Sequence, residues 1–255
     1  NGYETNFPKV ANFRKVGAEG WECLVAAGAV SVLEANAGQA FERLSSLQSL
    51  PRFIGDGKKD WLFGFFGYDL KNEVERLSSQ HFDGIGLSDL GFFQPEVVVG
   101  IRENQVEIHT IGRKPERVFE EIKSFPRGFS SPLPPPKGGN RVRGLQLQPR
   151  ISKEEYLGKV EAIRQHIVEG DLYEINLCQE FFSENAELSP VAVFERLNEI
   201  GKAPFSTFMR WRDRYLLSAS PERFLKKEGR KVISQPIKGT RRRSLQDDNA
   251  MRKSL

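Results

Sequence analysis

Lys238 and Glu222 are the residues whose types and setting point most directly to chemistry. Lys238 follows Pro236 and Ile237 and precedes Gly239, so no other polar side chain lies from 236 to 239. A lysine held against apolar neighbours loses hydration, which disfavours the ammonium form and leaves a free amine able to act as a nucleophile. Glu222 stands in Ser218-Ala-Ser-Pro-Glu-Arg-Phe224, on the other arm of a predicted β-hairpin. Leu216, Leu217, Phe224 and Leu225 form one strand run, Val232, Ile233 and Ile237 the other, and Glu228-Gly229 the polar turn. With a two-residue turn, Lys238 falls opposite Ala219 and Glu222 opposite Gln235. Residues 235 and 238 then point to opposite faces. Amine and carboxylate share one pocket only if a bulge or bend near Pro221 or Pro236 breaks the alternation. The plainer alternative is a solvated lysine at the end of a hairpin.

Ser218-x-Ser-Pro-Glu-Arg-Phe224 followed by Pro236-Ile-Lys-Gly-Thr240 resembles the paired signature of the chorismate-utilising enzymes. Within that family the lysine at 238 is like the aminodeoxychorismate synthase branch, also called para-aminobenzoate synthase component I. Anthranilate synthase large subunits are similar but typically carry alanine there. Gly170-Asp-Leu-Tyr-Glu-Ile-Asn-Leu-Cys-Gln179 and Ala203-Pro-Phe-Ser-Thr-Phe208 are also similar to family segments, and Val32-Leu-Glu-Ala35 more weakly so.

The resemblance implies an α+β fold of largely antiparallel sheets flanked by helices. It implies amination of chorismate to 4-amino-4-deoxychorismate, on the way to para-aminobenzoate and folate, through a covalent adduct on Lys238 with Glu222 as general acid. Gly239, Thr240, Ser220 and Glu174 fall at substrate-binding positions. Leu33, Glu34, Pro204 and Phe205 fall at an N-terminal regulatory pocket that binds tryptophan in some relatives. Ammonia would come from a glutamine amidotransferase subunit, and Mg2+ would engage a substrate carboxylate. The family's His-x-Met-x-x-Asp-Leu-x-Arg-Asn and Gly-Ala-Pro-Lys runs, and the glutamates that hold magnesium, occur nowhere in these residues. No metal ligand is therefore expected within the chain, which reads as a C-terminally incomplete part of a longer enzyme and inactive alone. Glu174 departs from the pattern, because relatives often carry glutamine and isochorismate synthases a lysine that activates water. A carboxylate beside a dicarboxylate substrate is repulsive unless protonated or paired; the other reading is an outward, ion-paired strand residue.

Strands and helices must place these residues. Trp21 to Glu34 reads as a strand pair or helix-strand unit, and Trp61-Leu-Phe-Gly-Phe-Phe-Gly-Tyr68 as an aromatic strand broken by glycines. Val97 to Ile101 and Val106 to Ile111, joined at Glu103-Asn104, form a predicted hairpin, and Pro115 to Phe125 a helix with proline in its first turn. Residues 126–149 are rich in Pro, Gly, Ser and basic types without a hydrophobic period, which marks a linker. It divides the chain into an N-terminal α+β region, 1–125, and the first part of the chorismate-binding region, 150–255. Ser152-Lys-Glu-Glu155 is a capping box flanked by the staple pair Ile151 and Tyr156, and Gly170 suits the end of the helix it opens. Leu172 to Phe182 alternates as a strand, and Ser189-Pro190 opens a second helix that Gly201 ends.

Composition sets the outer limits. A chain of 255 residues, 38% hydrophobic, can bury a substantial core. Two widely spaced cysteines, Cys23 and Cys178, do not make a disulfide scaffold, and His81, His109 and His166 have no metal-ligand spacing among them. No apolar run is long enough to span a bilayer and no export signal is evident, so a cytoplasmic protein with no membrane partner is expected. The net charge is +4, drawn partly from Arg241-Arg-Arg243. A solvated basic loop is the commoner meaning of such a run, and nucleic acid is not the expected partner. The rivals are another chorismate enzyme of the anthranilate type and, further off, a non-catalytic fragment binding a ligand near Leu33-Glu34 or nucleic acid at Arg241 to Arg243.

Overall fold

Runs of β-branched and aromatic residues broken by tight turns build antiparallel pairs, because a short turn joins strands that run in opposite directions. In the computed structural model, the structure describes residues 9–13, 23–46, 61–79, 81–102, 105–124, 145–228 and 230–237. They include thirteen strands: β1 (Lys9–Phe13), β2 (Cys23–Ala27), β3 (Ser31–Ala35), β4 (Phe63–Phe66), β5 (Leu90–Gln94), β6 (Val97–Arg102), β7 (Gln105–Thr110), β8 (Gln148–Pro149), β9 (Phe181–Phe182), β10 (Phe205–Trp211), β11 (Arg214–Ser220), β12 (Arg223–Glu228) and β13 (Lys231–Gln235). The α-helices are α1 (Ala40–Ser46), α2 (Lys71–Val74), α3 (Pro115–Ser124), α4 (Lys153–Glu169) and α5 (Pro190–Gly201).

The main sheet has six strands in the order β11-β10-β1-β2-β6-β7, and a second has three in the order β3-β5-β4. The strand pairs are antiparallel throughout. The chain divides into two compact units, one of residues 1–127 with 194–255, the other of residues 128–193. Strands from both sides of the Pro/Gly-rich segment thus share one sheet: β10 and β11 return to pair beside β1.

Alternation along β5 explains how the two sheets pack. Phe93 faces the main sheet and joins Ala26, Met209 and Trp211 in one buried cluster. Leu90 faces the other way and joins Leu33, Ala35, Ala40 and Leu70 under α1. Trp211 meets Phe65 edge-on at 5.3 Å between ring centres and Phe93 at 6.0 Å, the geometry the ring quadrupole favours. Gly91 makes room for it, since a Cβ there would lie 2.6 Å from the Phe65 ring and 2.9 Å from that of Trp211.

Local signals hold where they are strongest. The Ser152 hydroxyl accepts the Glu155 N–H at 3.1 Å, and Gly170 closes α4 with a left-handed φ of 86°. The Ser189 hydroxyl caps α5 through the Ala192 N–H, and β6 and β7 form the expected hairpin. Three expectations are corrected. The Trp21–Glu34 stretch supplies β2 and β3 to different sheets, turned apart at Gly28 (φ 71°). Leu172 to Phe182 is a strand only at Phe181–Phe182, where Gln148–Pro149 supplies a partner; alternation without a paired neighbour makes no ladder. The long arm of the C-terminal hairpin is broken at Pro221: Leu216 and Leu217 belong to β11, paired with β10, while Phe224 and Leu225 belong to β12. Pro221 has no N–H to give a continuing ladder.

Candidate active site

The Ser220-Pro-Glu-Arg223 step carries the chain from the main sheet into the β12–β13 hairpin. The Ser220 hydroxyl donates to the Glu222 carbonyl at 3.0 Å and accepts the Glu222 N–H at 3.3 Å, a local turn that spares both groups a missing partner. In the hairpin Glu228 pairs with Lys231, Lys227 with Val232 and Lys226 with Ile233, two residues off the register expected from a Glu228-Gly229 turn. The ladder then slips between Lys226 and Arg223, so that Arg223 pairs with Gln235. This irregularity is of the kind that the alternation of a regular strand forbids. With it, Glu222 reaches across to the second arm, and its Oε1 accepts the Ile237 N–H at 3.3 Å.

Glu222 is exposed, as are Phe224 and Ile237 beside it. Lys238, Gly239 and Thr240 lie outside the described residues, as do Arg241 to Arg243. The carboxylate at 222 is therefore placed against the residue that immediately precedes Lys238 in sequence. Glu174 is exposed and in irregular backbone, within the 128–193 unit.

The residues grouped as a regulatory pocket fall in two places. Leu33 is buried among Ala35, Ala40, Leu70 and Leu90. Glu34, next along β3, points the other way and is clasped from far along the chain: Trp211 Nε1 donates to its Oε1 and Arg212 Nη2 to its Oε2, both at 2.5 Å. A cavity of about 770 Å3 opens beside it, lined among others by Asn36, Gly38, Gln39, Arg43 and Gly86. Pro204 and Phe205 lie at the opposite end of β10 from Trp211, where the Arg223 guanidinium sits 4.9 Å above the Phe205 ring.

Two acids outside the expected set hold the cavity wall. Asp89 Oδ2 accepts the Ala37 N–H, and Glu73 accepts those of Gly38, Ala40 and Phe41 at 2.9 to 3.0 Å. Desolvation pushes the Glu73 carboxyl up, but the three N–H bonds outweigh it and hold its pKa below the ordinary carboxylate value. Across the cavity Asp83 accepts the Gly86 and Ile85 N–H groups, which hold its pKa down as well. Burial pushes the Cys23 thiol up to about 11, so it stays protonated and inert at neutral pH.

Among the described residues, one group of three potential metal ligands comes together, His166, Glu169 and Asp171, at the exposed end of α4. Magnesium takes oxygen ligands and keeps its waters, so an imidazole-containing set does not fit it.

Residues 12–255 match the family described as chorismate binding enzyme. The chain belongs to that family. It is 31% identical to anthranilate synthase component 1 of Thermus thermophilus over 205 residues, 80% of this chain and 43% of that protein. It is also 31% identical to aminodeoxychorismate synthase component 1 of Salmonella typhimurium over 179 residues, 69% of this chain and 37% of that protein. The chain thus spans less than half the length of these curated relatives. Anthranilate synthase component I of Streptococcus pneumoniae shares the fold, with a TM-score of 0.63 at 20% identity over 82% of this chain and 52% of that one. The α+β fold of a chorismate-binding enzyme, with antiparallel sheets flanked by helices, is thereby established. No helix among the described residues is long and apolar enough to cross a membrane.

The partners of Glu34 were invisible to sequence reasoning, because Trp211 and Arg212 lie 177 and 178 residues away. The acids at 73 and 89 carried no local signal either.

Proposed function

We propose that the chain is part of an aminodeoxychorismate synthase large subunit, in which Lys238 forms a covalent adduct with chorismate and Glu222 handles the protons. The observation that supports this most is the Glu222–Ile237 hydrogen bond, which sets a carboxylate one residue from the lysine despite the parity of a regular strand. The free Lys238 amine attacks C2 of chorismate, the two conjugated ring double bonds each shift by one position, and the C4 hydroxyl leaves as water after protonation by Glu222. Ammonia then adds at C4, both double bonds shift back, and the C2–N bond to Lys238 breaks with release of the neutral amine. Glu222 takes up the proton released from nitrogen. The adduct divides one hard substitution into two easier ones, and an exposed carboxyl that accepts one backbone N–H among the described residues is open to proton exchange. Gly239 and Thr240 offer a backbone N–H and a hydroxyl to a substrate carboxylate. Ammonia comes from a glutamine amidotransferase subunit, in keeping with relatives that are each named as component 1 of a synthase. The place of action in this reading is the cytoplasm.

Similarity to anthranilate synthase component 1 over 80% of the chain favours a second reading, amination at C2 with loss of pyruvate. Product analysis of the full-length protein with chorismate and ammonium salts separates the two. The expected product is 4-amino-4-deoxychorismate; anthranilate as the main product would overturn the proposal.

A further inference from the structure

We infer that Arg223 is a positioning residue for Glu222, acting through its stack on Phe205; this rests on the reaction proposed above. Adjacent residues of β12's entry do opposite jobs. Glu222 turns toward the second arm of the hairpin and takes the Ile237 N–H. Arg223 turns back toward the main sheet, its guanidinium carbon 4.9 Å from the centre of the Phe205 ring. Phe205 opens β10 and pairs with Ser220, whose hydroxyl holds the Glu222 backbone from both sides. The ring, the serine and the arginine therefore surround the step that aims the glutamate.

The chemistry of the contact calls for arginine. Its planar, weakly hydrated guanidinium lies flat on an aromatic face, whereas a lysine ammonium keeps its water. Arg223 Nε is buried and has no hydrogen-bond partner among the described residues. Its guanidinium rests instead on the Phe205 ring. Among the described residues the hairpin buries little apolar surface: Phe224, Leu225, Val232 and Ile237 are all more than half exposed. A hairpin that buries so little apolar area is marginal by itself, so contacts at its base help to set its angle to the main sheet.

The test uses Arg223→Lys, Phe205→Leu, the double variant and Phe205→Tyr in the full-length protein, with two readouts. In chorismate turnover with ammonium salts, Arg223→Lys and Phe205→Leu should each lower kcat about tenfold with KM within about twofold of the parent. The double variant should be no worse than the poorer single, because both changes break one contact. Phe205→Tyr, which keeps the ring face, should retain parental kcat. In hydrogen exchange, the Ile237 amide should lose protection in both single variants and keep it in Phe205→Tyr. Unchanged kcat in Arg223→Lys, or losses that multiply in the double variant, would overturn the inference. If the parent protein does not turn over chorismate, the proposed reaction fails, and the exchange readout still decides whether the stack orders the Glu222 contact.

Discussion

Glu34 and Glu222 sit at opposite ends of the same antiparallel pair, β10–β11, and are held in opposite ways. At the turn end, Glu34 is half enclosed and gripped by two side chains, the Trp211 indole and the Arg212 guanidinium. At the open end, Glu222 is exposed and, among the described residues, accepts the backbone N–H of Ile237. A carboxylate with both oxygens committed to fixed donors does structural work, here joining the three-stranded sheet to the main one. A carboxylate with one weak tether and access to solvent can pass protons. One pair of strands therefore carries a clasp at one end and a candidate catalytic acid at the other.

The contrast breaks if activity and stability do not separate between the two ends. Glu222→Gln keeps the shape and removes the titratable proton. It should lower kcat by about a hundredfold or more with little change in KM or melting temperature, measured by steady-state kinetics and thermal unfolding. A rise in KM that accounts for the whole loss in kcat/KM, with kcat unchanged, would point to a binding role. Glu34→Ala should do the reverse: a loss of about 1–3 kcal/mol in denaturant unfolding, because the Trp211 N–H is left buried without its acceptor, with turnover per folded molecule close to the parent. Gly91→Ala sharpens the same point from the packing side. A methyl group pressed on the Phe65 and Trp211 rings should cost about 1–3 kcal/mol and disturb the clasp without touching Glu222.

The smallest effect is expected at the cavity wall. The Glu73 pKa is lower in the folded than in the unfolded state, where the ordinary value is 4.5. Its contribution to stability is fully present above that value and is lost as pH falls through the lower folded one. Melting curves of the parent and Glu73→Gln should differ by a few degrees at neutral pH and converge in acid below the folded pKa. A difference that grows on acidification would contradict the assignment of the three N–H bonds.

Sequence and structure agree where the determinant is local. Ser152, Gly170, Pro115 and Ser189-Pro190 announced their helices because capping groups act within one turn. The Val97–Thr110 hairpin followed from two β-branched runs and a polar joint. Disagreement appears where the answer depends on a distant partner. Tyr173 and Ile175 alternate like strand residues, but no ladder forms at their position, and Tyr173 is 93% exposed. The C-terminal hairpin was legible as a hairpin, while its register was not, because one slip between Arg223 and Lys226 changes which residues face each other. That slip answers the parity objection to bringing Glu222 near the lysine segment. Of the pocket suggested near residue 33, Glu34 alone lines the cavity, and its clasp depends on a turn at the far end of the sequence.

The most direct test of the chemistry is intact-mass spectrometry of the full-length protein mixed with chorismate in the absence of ammonia. The parent should gain the mass of chorismate less one water, and the gain should disappear when ammonium is added and in Lys238→Ala. A gain that persists in Lys238→Ala, or none in a parent that still makes 4-amino-4-deoxychorismate when ammonium is supplied, would contradict covalent catalysis by Lys238.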